Sequence, residues 1–141
     1  MKYILSFVLI AGLFFAGCSK SNQSSTTPIN EIPDTTKADI ILAGTFADGP
    51  HGHVTGQAKI YNADGTLGLG LQDFNTSNGP DLHVYLSQES QPVHFIELGK
   101  LKSTNGNQLY DIPGNPDFSQ YKYVLIHCQQ YNHVFGIAAI K

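Results

Sequence analysis

Between residues 39 and 141 apolar and polar positions mostly alternate with a period of two, the mark of half-buried strands rather than helices. In His53-Val54-Thr55-Gly56-Gln57-Ala58-Lys59-Ile60-Tyr61, Val54, Ala58 and Ile60 share one face with Gly56, while His53, Thr55, Gln57 and Lys59 fall on the other. Asn62-Ala63-Asp64-Gly65 follows, and Asp-Gly supplies the positive φ that a tight hairpin needs. Leu67, Leu69 and Leu71 resume the alternation until Asp73-Phe74 falls out of phase, which predicts a bulge. Further strands are predicted at 40–46, 82–86, 93–98, 108–112, 123–128 and 135–140, parted by Gly, Asn, Pro and Asp clusters at 77–81, 104–107 and 113–117. No amphipathic helix of useful length is present, only one short helical turn at 116–121. The expected fold is all-β: a single antiparallel β-sandwich or barrel-like domain of about eight strands.

The segment before this domain is of another kind. Met1-Lys2 and an apolar block end in Leu13-Phe14-Phe15-Ala16-Gly17-Cys18, the layout of a secretion signal. The apolar run, 3–16, falls short of the roughly 20 residues that span a bilayer as a helix. Cysteine directly after Ala-Gly resembles the lipobox of bacterial lipoproteins, with Phe15 where leucine is usual. The resemblance implies a signal peptide at 1–17, cleavage before Cys18 and a lipid on its sulfur. Residues 19–38 are rich in Ser, Thr, Asn and Pro, too polar to order themselves by burial. Residues 18–38 are therefore expected to be the lipidated cysteine and a tether spanning roughly 25 Å. Residues 39–141 form the domain. Ser19 offers no aspartate as an inner-membrane retention signal, and no acidic run follows Cys18. The expected location is the cell envelope: lipid-anchored, extracytoplasmic, on the outer membrane and facing the periplasm.

Charge narrows the partners. The net charge is −3 and the chain has no arginine. Nucleic-acid binding needs clustered cations and bidentate arginines, so that class is excluded. No phosphate-binding loop, Gly-x-Ser-x-Gly elbow or His-Glu-x-x-His helix occurs, and no hydrolase or transferase signature stands out. The expected partners are the membrane, through its anchor, and a redox or envelope protein.

Gly44-Thr45-Phe46, His53-Val54-Thr55-Gly56-Gln57-Ala58 and Asp73-Phe74 are followed by Asn78-Gly79-Pro80-Asp81-Leu82-His83-Val84-Tyr85-Leu86. Leu98-Gly99-Lys100-Leu101-Lys102 comes next, then Gly106-Asn107-Gln108-Leu109-Tyr110-Asp111-Ile112-Pro113, Cys128 and Phe135-Gly136-Ile137-Ala138. In this order the segments resemble the DM-thirteen family, often labelled an electron-transfer domain, in its single-domain lipoprotein form. The resemblance implies a redox role at Cys128, either as a bare thiol or by holding a prosthetic group such as haem. Where this chain has His127 the family commonly has tryptophan, so no inherited role attaches to that imidazole.

With Cys18 lipidated, Cys128 is a lone thiol in an oxidising compartment. Its strand is apolar on both faces, as in a central strand, and Cys128 shares a face with Val124 and Ile126. It is either a small buried hydrophobe or a reactive thiol at the strand's exit. A copper site would join Cys128 to His133, five residues on and resembling the cupredoxin spacing, with His83 or His94 as second imidazole. The axial methionine is missing, since Met1 is the sole methionine. For haem, the c-type attachment pattern Cys-x-x-Cys-His is absent, and without an axial methionine the ligands left are histidine or the Cys128 thiolate. No cofactor at all is an equal alternative. His51-Gly52-His53 reads as a histidine-bearing turn, Asp81 as a residue tying down backbone amides, and the tyrosines as packed rings with wet hydroxyls. The leading function is redox or electron transfer centred on Cys128. The competing one is a non-redox module that binds a protein or glycan, with Cys128 filling the core.

Overall fold

The computed structural model describes residues 22–141, so Cys18 and the expected signal segment 1–17 lie outside the described residues. Nine strands make the fold: β1 (Ile29–Asn30), β2 (Asp39–Asp48), β3 (Val54–Ala63), β4 (Thr66–Thr76), β5 (Leu82–Ser87), β6 (Phe95–Lys100), β7 (Asn105–Asp111), β8 (Tyr123–Cys128) and β9 (His133–Ala139). They form one sheet in the order β1-β7-β4-β3-β2-β9-β8-β5-β6, curled into a half-barrel. The all-β expectation holds, with one amendment. β1 runs parallel to β7, so the sheet is mixed and not purely antiparallel.

β2 is the corner. Its first half pairs with β3, from Asp39 opposite Asn62 to Thr45 opposite Gln57, and its end pairs with β9 through Phe46, Ala47 and Asp48. The two halves of the sheet thereby face each other over a common core. Ala58, Ile60, Leu69, Leu71 and Phe74 come from one side, and Leu82, Val84, Leu86, Val124 and Ile126 from the other. Phe46 meets Phe74 edge-to-face across this core, ring centroids 5.6 Å apart.

Local chemistry fixes the register. Asp64 and Gly65 take φ of 50° and 88°, the turn that Asp-Gly predicts, and Asn62 Oδ1 accepts the Gly65 N–H at 2.8 Å. The predicted bulge is present. Asp73 has φ of 49°, and the β4–β7 register shifts between Leu71 and Phe74. On the facing strand Gly56 takes φ of 107°, where a Cβ would lie 2.7 Å from the Gln72 carbonyl oxygen; only glycine admits that approach. At 116–121 the chain makes one turn, with the Gln120 and Tyr121 amides both donating to the Asp117 carbonyl.

The expectation of a free tether fails for part of its length. Ser24 is buried, Ser25 bridges to Ser103, and Ile29–Asn30 adds to the edge of β7. The bonds are polar. Ser103 Oγ donates to the Thr27 carbonyl at 2.7 Å, Asn107 Nδ2 to Asn30 Oδ1 at 2.6 Å, and the Leu109 N–H to Glu31 Oε2 at 2.8 Å. Lys102 Nζ donates to that same Glu31 oxygen and to the Leu109 carbonyl, both at 2.6 Å. A charged pair thus occupies the edge groups of β7 that another strand could use.

Candidate functional site

β8 lies between β5 and β9, and its residues from Val124 to Cys128 are buried on both faces. Alternation sends Val124, Ile126 and Cys128 into the common core, whereas Leu125 and His127 point to the opposite face. Cys128 is free and 0% exposed. It stands opposite Leu82 on β5 and His133 on β9. Immediately after it the chain turns through exposed Gln129, Gln130, Tyr131 and Asn132, where Gln129 N–H donates to the Asp81 carbonyl at 2.9 Å and Asn132 takes φ of 53°. The thiol therefore sits one residue inside the sheet from an exposed turn.

His127 faces the other way and is 5% exposed. Its Nε2 lies 3.0 Å from Asn132 Oδ1, which accepts, so the hydrogen bond assigns the N–H to Nε2. Nδ1 is buried and has no hydrogen-bond partner among the described residues. Burial pushes this imidazole below its ordinary 6.5; the Asn132 bond opposes the shift, and the nearby rings of His83 and His133 add to it. The ring packs 5.1 Å from Tyr85, which itself stacks on Phe95 at 4.2 Å. The Gln129 amide donates to the Tyr85 hydroxyl at 2.8 Å. Burial raises the Tyr85 phenol, with that bond opposing.

Of the other predicted site residues, His133 and His83 lie beside Cys128 in the ladder, opposite it and in the next pair, but their rings are engaged elsewhere. His133 carries its ring onto His51, 3.7 Å away and 5° from parallel, with Tyr131 5.9 Å from it on the outside. His83 is held between two carboxylates, Nδ1 at 2.6 Å from Glu97 Oε1 and Nε2 at 3.2 Å from Asp81 Oδ1, so both ring nitrogens are occupied. His94 leans on Glu89 at 2.8 Å. Its carbonyl accepts from Gln88, beyond the far end of β5 from Leu82, so about 16 Å of strand separates it from Cys128. Among the described residues no group of three or more His, Cys, Asp or Glu is arranged to hold a metal. Copper is not fitted by Cys128, His133, His83 and His94 as they stand. Haem ligation through Cys128 meets a different obstacle, because the residue is fully buried within the apolar cluster.

Two smaller expectations are corrected. The Asp81 carboxylate meets His83 and, at 3.8 Å, Lys100, in place of backbone amides. Tyr110 is 5% exposed, and its hydroxyl donates to Gln108 Oε1 at 2.8 Å and accepts the Lys102 N–H, so that hydroxyl is dry. His51 and His53 also part company, since His53 Nδ1 pairs with Asp48 at 2.9 Å. His127, to which no role was attached, and Asn132 were not among the expected site residues. The pointer was available: a histidine on the second face of a strand apolar on both faces has nowhere wet to go.

Comparison with curated proteins and with solved structures gives no match. A family model described as "Electron transfer DM13" matches residues 45–140, which run from within β2 to just past β9 and take in Cys128. That match covers most of the chain and indicates an electron-transfer-related role; the chain belongs to the electron transfer DM13 family.

Proposed function

We propose that this DM13 domain is an envelope lipoprotein, anchored by a lipid on Cys18, that passes electrons through Cys128. The reading rests on one observation: the family match spans the only described thiol, and that thiol ends a central strand beside an exposed turn. A lone thiol can do two-electron chemistry by exchange with a disulfide on a partner protein. The Cys128 thiol gives its proton to solvent, and its sulfur attacks one sulfur of the partner's disulfide. A new S–S bond forms, the old one breaks, and the other partner sulfur leaves as a thiolate. Cys128 is oxidised and the partner disulfide is half reduced. Because Cys128 has no exposed surface, the turn of residues 129–132 must move before such an attack.

A second reading has its own support. The zero exposure of Cys128 and its place in the apolar cluster suit a small core residue, in a module that binds an envelope protein or glycan without redox chemistry. The lipobox resemblance and Ser19 support outer-membrane anchoring facing the periplasm under either reading.

The separating experiment is replacement of Cys128 with alanine in the lipidated full chain. Mixed disulfides trapped in the envelope by acid quench are expected for the parent and lost in the variant. If no mixed disulfide forms in the parent, or the variant supports the same redox behaviour, the thiol role falls and the binding module stands. Labelling with radioactive palmitate, lost on replacing Cys18, checks the anchor separately.

A further inference from the structure

On the outer face of the β2–β3–β4–β7 half, remote from Cys128, a cleft of about 270 Å³ opens between the sheet and the chain at 31–35, at the lower edge of the roughly 300–1,000 Å³ of small-ligand sites. Its making is legible in the residues. Ala58 and Ile60 point inward, so Lys59 and Tyr61 point out. Opposite Lys59, β4 carries Gly70, whose missing side chain leaves room for the Tyr61 ring; a Cβ there would lie 2.6 Å from Tyr61 Cε2. The walls are Leu109 and two isoleucines, Ile32 and Ile40, that are 62% and 52% exposed. Apolar side chains left in water around a concave floor are the usual mark of a binding site.

The polar groups give the cleft a sign. Glu31 is neutralised by Lys102 and by the Leu109 amide. Lys59 is half-buried and bonds the neutral Gln72 amide oxygen, and among the described residues it meets no carboxylate. The ammonium is a cation lacking its anion at the end of an apolar trough. A single lysine, in a chain without arginine, suits one carboxylate better than a phosphate, which is commonly gripped by bidentate arginine or several cations.

We infer that this cleft is a binding site for a small apolar monocarboxylate, its tail between Ile32, Ile40 and Leu109 over the Tyr61 ring and its carboxylate on Lys59. This goes beyond the electron-transfer reading and does not depend on it. The test is calorimetric titration of the full chain with decanoate and, in parallel, with decanol at the same low detergent-free concentrations. Decanoate is expected to bind saturably at one site, with decanol about fivefold weaker, the factor of a partly exposed ion pair. Lys59→Met should erase the preference while leaving decanol binding in place, and Ile40→Asp should weaken both ligands. Lys59→Met lies on the exposed face, so an unchanged circular dichroism spectrum is the folding control. No saturable decanoate binding, or a preference that survives Lys59→Met, overturns the inference. Equal weakening of decanoate and decanol by Lys59→Met overturns it as well, because the lysine would then be packing and not pairing.

Discussion

Native-state labelling of Cys128 with a water-soluble aromatic disulfide reagent should be slow, and how slow follows from where the residue sits. The thiol is fully buried and paired in the ladder with both β5 and β9, so reagent can reach it only after the end of β8 leaves both neighbours. The Gln129 amide bond to Asp81 must break too. At about 1 kcal/mol net per hydrogen bond, and about 1 kcal/mol for the sulfur's apolar surface, opening costs roughly 3–5 kcal/mol. That is a protection of about 10²- to 10⁴-fold relative to the unfolded chain. Complete unfolding, at about 5–15 kcal/mol, would protect by far more. The two routes also respond differently to urea. Local fraying exposes little surface and its rate should hardly change with denaturant, whereas the global route follows the full m-value. The assay is stopped-flow absorbance across a urea series, with an unfolded sample as the reference rate. Labelling as fast as the unfolded reference would refute the placement of Cys128 in the core. Labelling with the full global slope would refute a turn that opens by itself, and with it the route proposed for exchange.

Two further outcomes test the electrostatics. His127 is held below the ordinary 6.5 mainly by burial, so the unfolded chain takes up a proton before the folded one does. Stability is then full above 6.5 and falls as pH drops below it, by at most about 1.4 kcal/mol per pH unit, until the folded imidazole also titrates. His127→Phe should flatten that part of the urea-midpoint profile, and an unchanged slope in the variant would reject the assignment. Glu31 is held below its ordinary 4.5 by the bonds from Lys102 and Leu109, so its contribution is present above 4.5 and is lost as pH falls through the folded value. Glu31→Ala should cost about 1 kcal/mol or less at neutral pH, given its exposure, and should speed hydrogen exchange at the Leu109 amide. Exchange at parent rate would mean that Glu31 does not guard the β7 edge.

The strands of the core were legible because burial on one side of a sheet writes itself as alternation. The Asp-Gly turn was legible because it needs residues tolerant of positive φ, and the bulge because an extra residue throws Asp73-Phe74 out of phase with the alternation. β1 was not, because it is two residues long, too short to show alternation. The bonds that hold it and the chain just before it, Asn107 to Asn30 and Ser103 to Thr27, are made by residue types that are equally at home in a tether. The surroundings of the copper candidates were illegible for a related reason. Spacing along the chain put His133 five residues from Cys128, and the ladder does set them opposite each other. The His133 ring stacks on that of His51, and the Gly49–Gly52 bridge beside it leaves no periodic trace.

The position of Cys128 within its strand sets what must move before its sulfur meets a partner. Val124 and Ile126 share its face and its full burial, but each is followed by further paired residues of β8. Uncovering either would unzip the sheet between β5 and β9. Cys128 is the last paired residue, and Gln129 beyond it is exposed. A thiol that must be shielded from oxidants yet reach a partner gains from both the burial and the single step to solvent. The same geometry limits the chemistry: with no second cysteine among the described residues, the mixed disulfide cannot be resolved within the domain, and net electron transfer needs the thiolate of a third protein to attack the partner's sulfur, forming a new S–S bond there and releasing Cys128 as a thiolate.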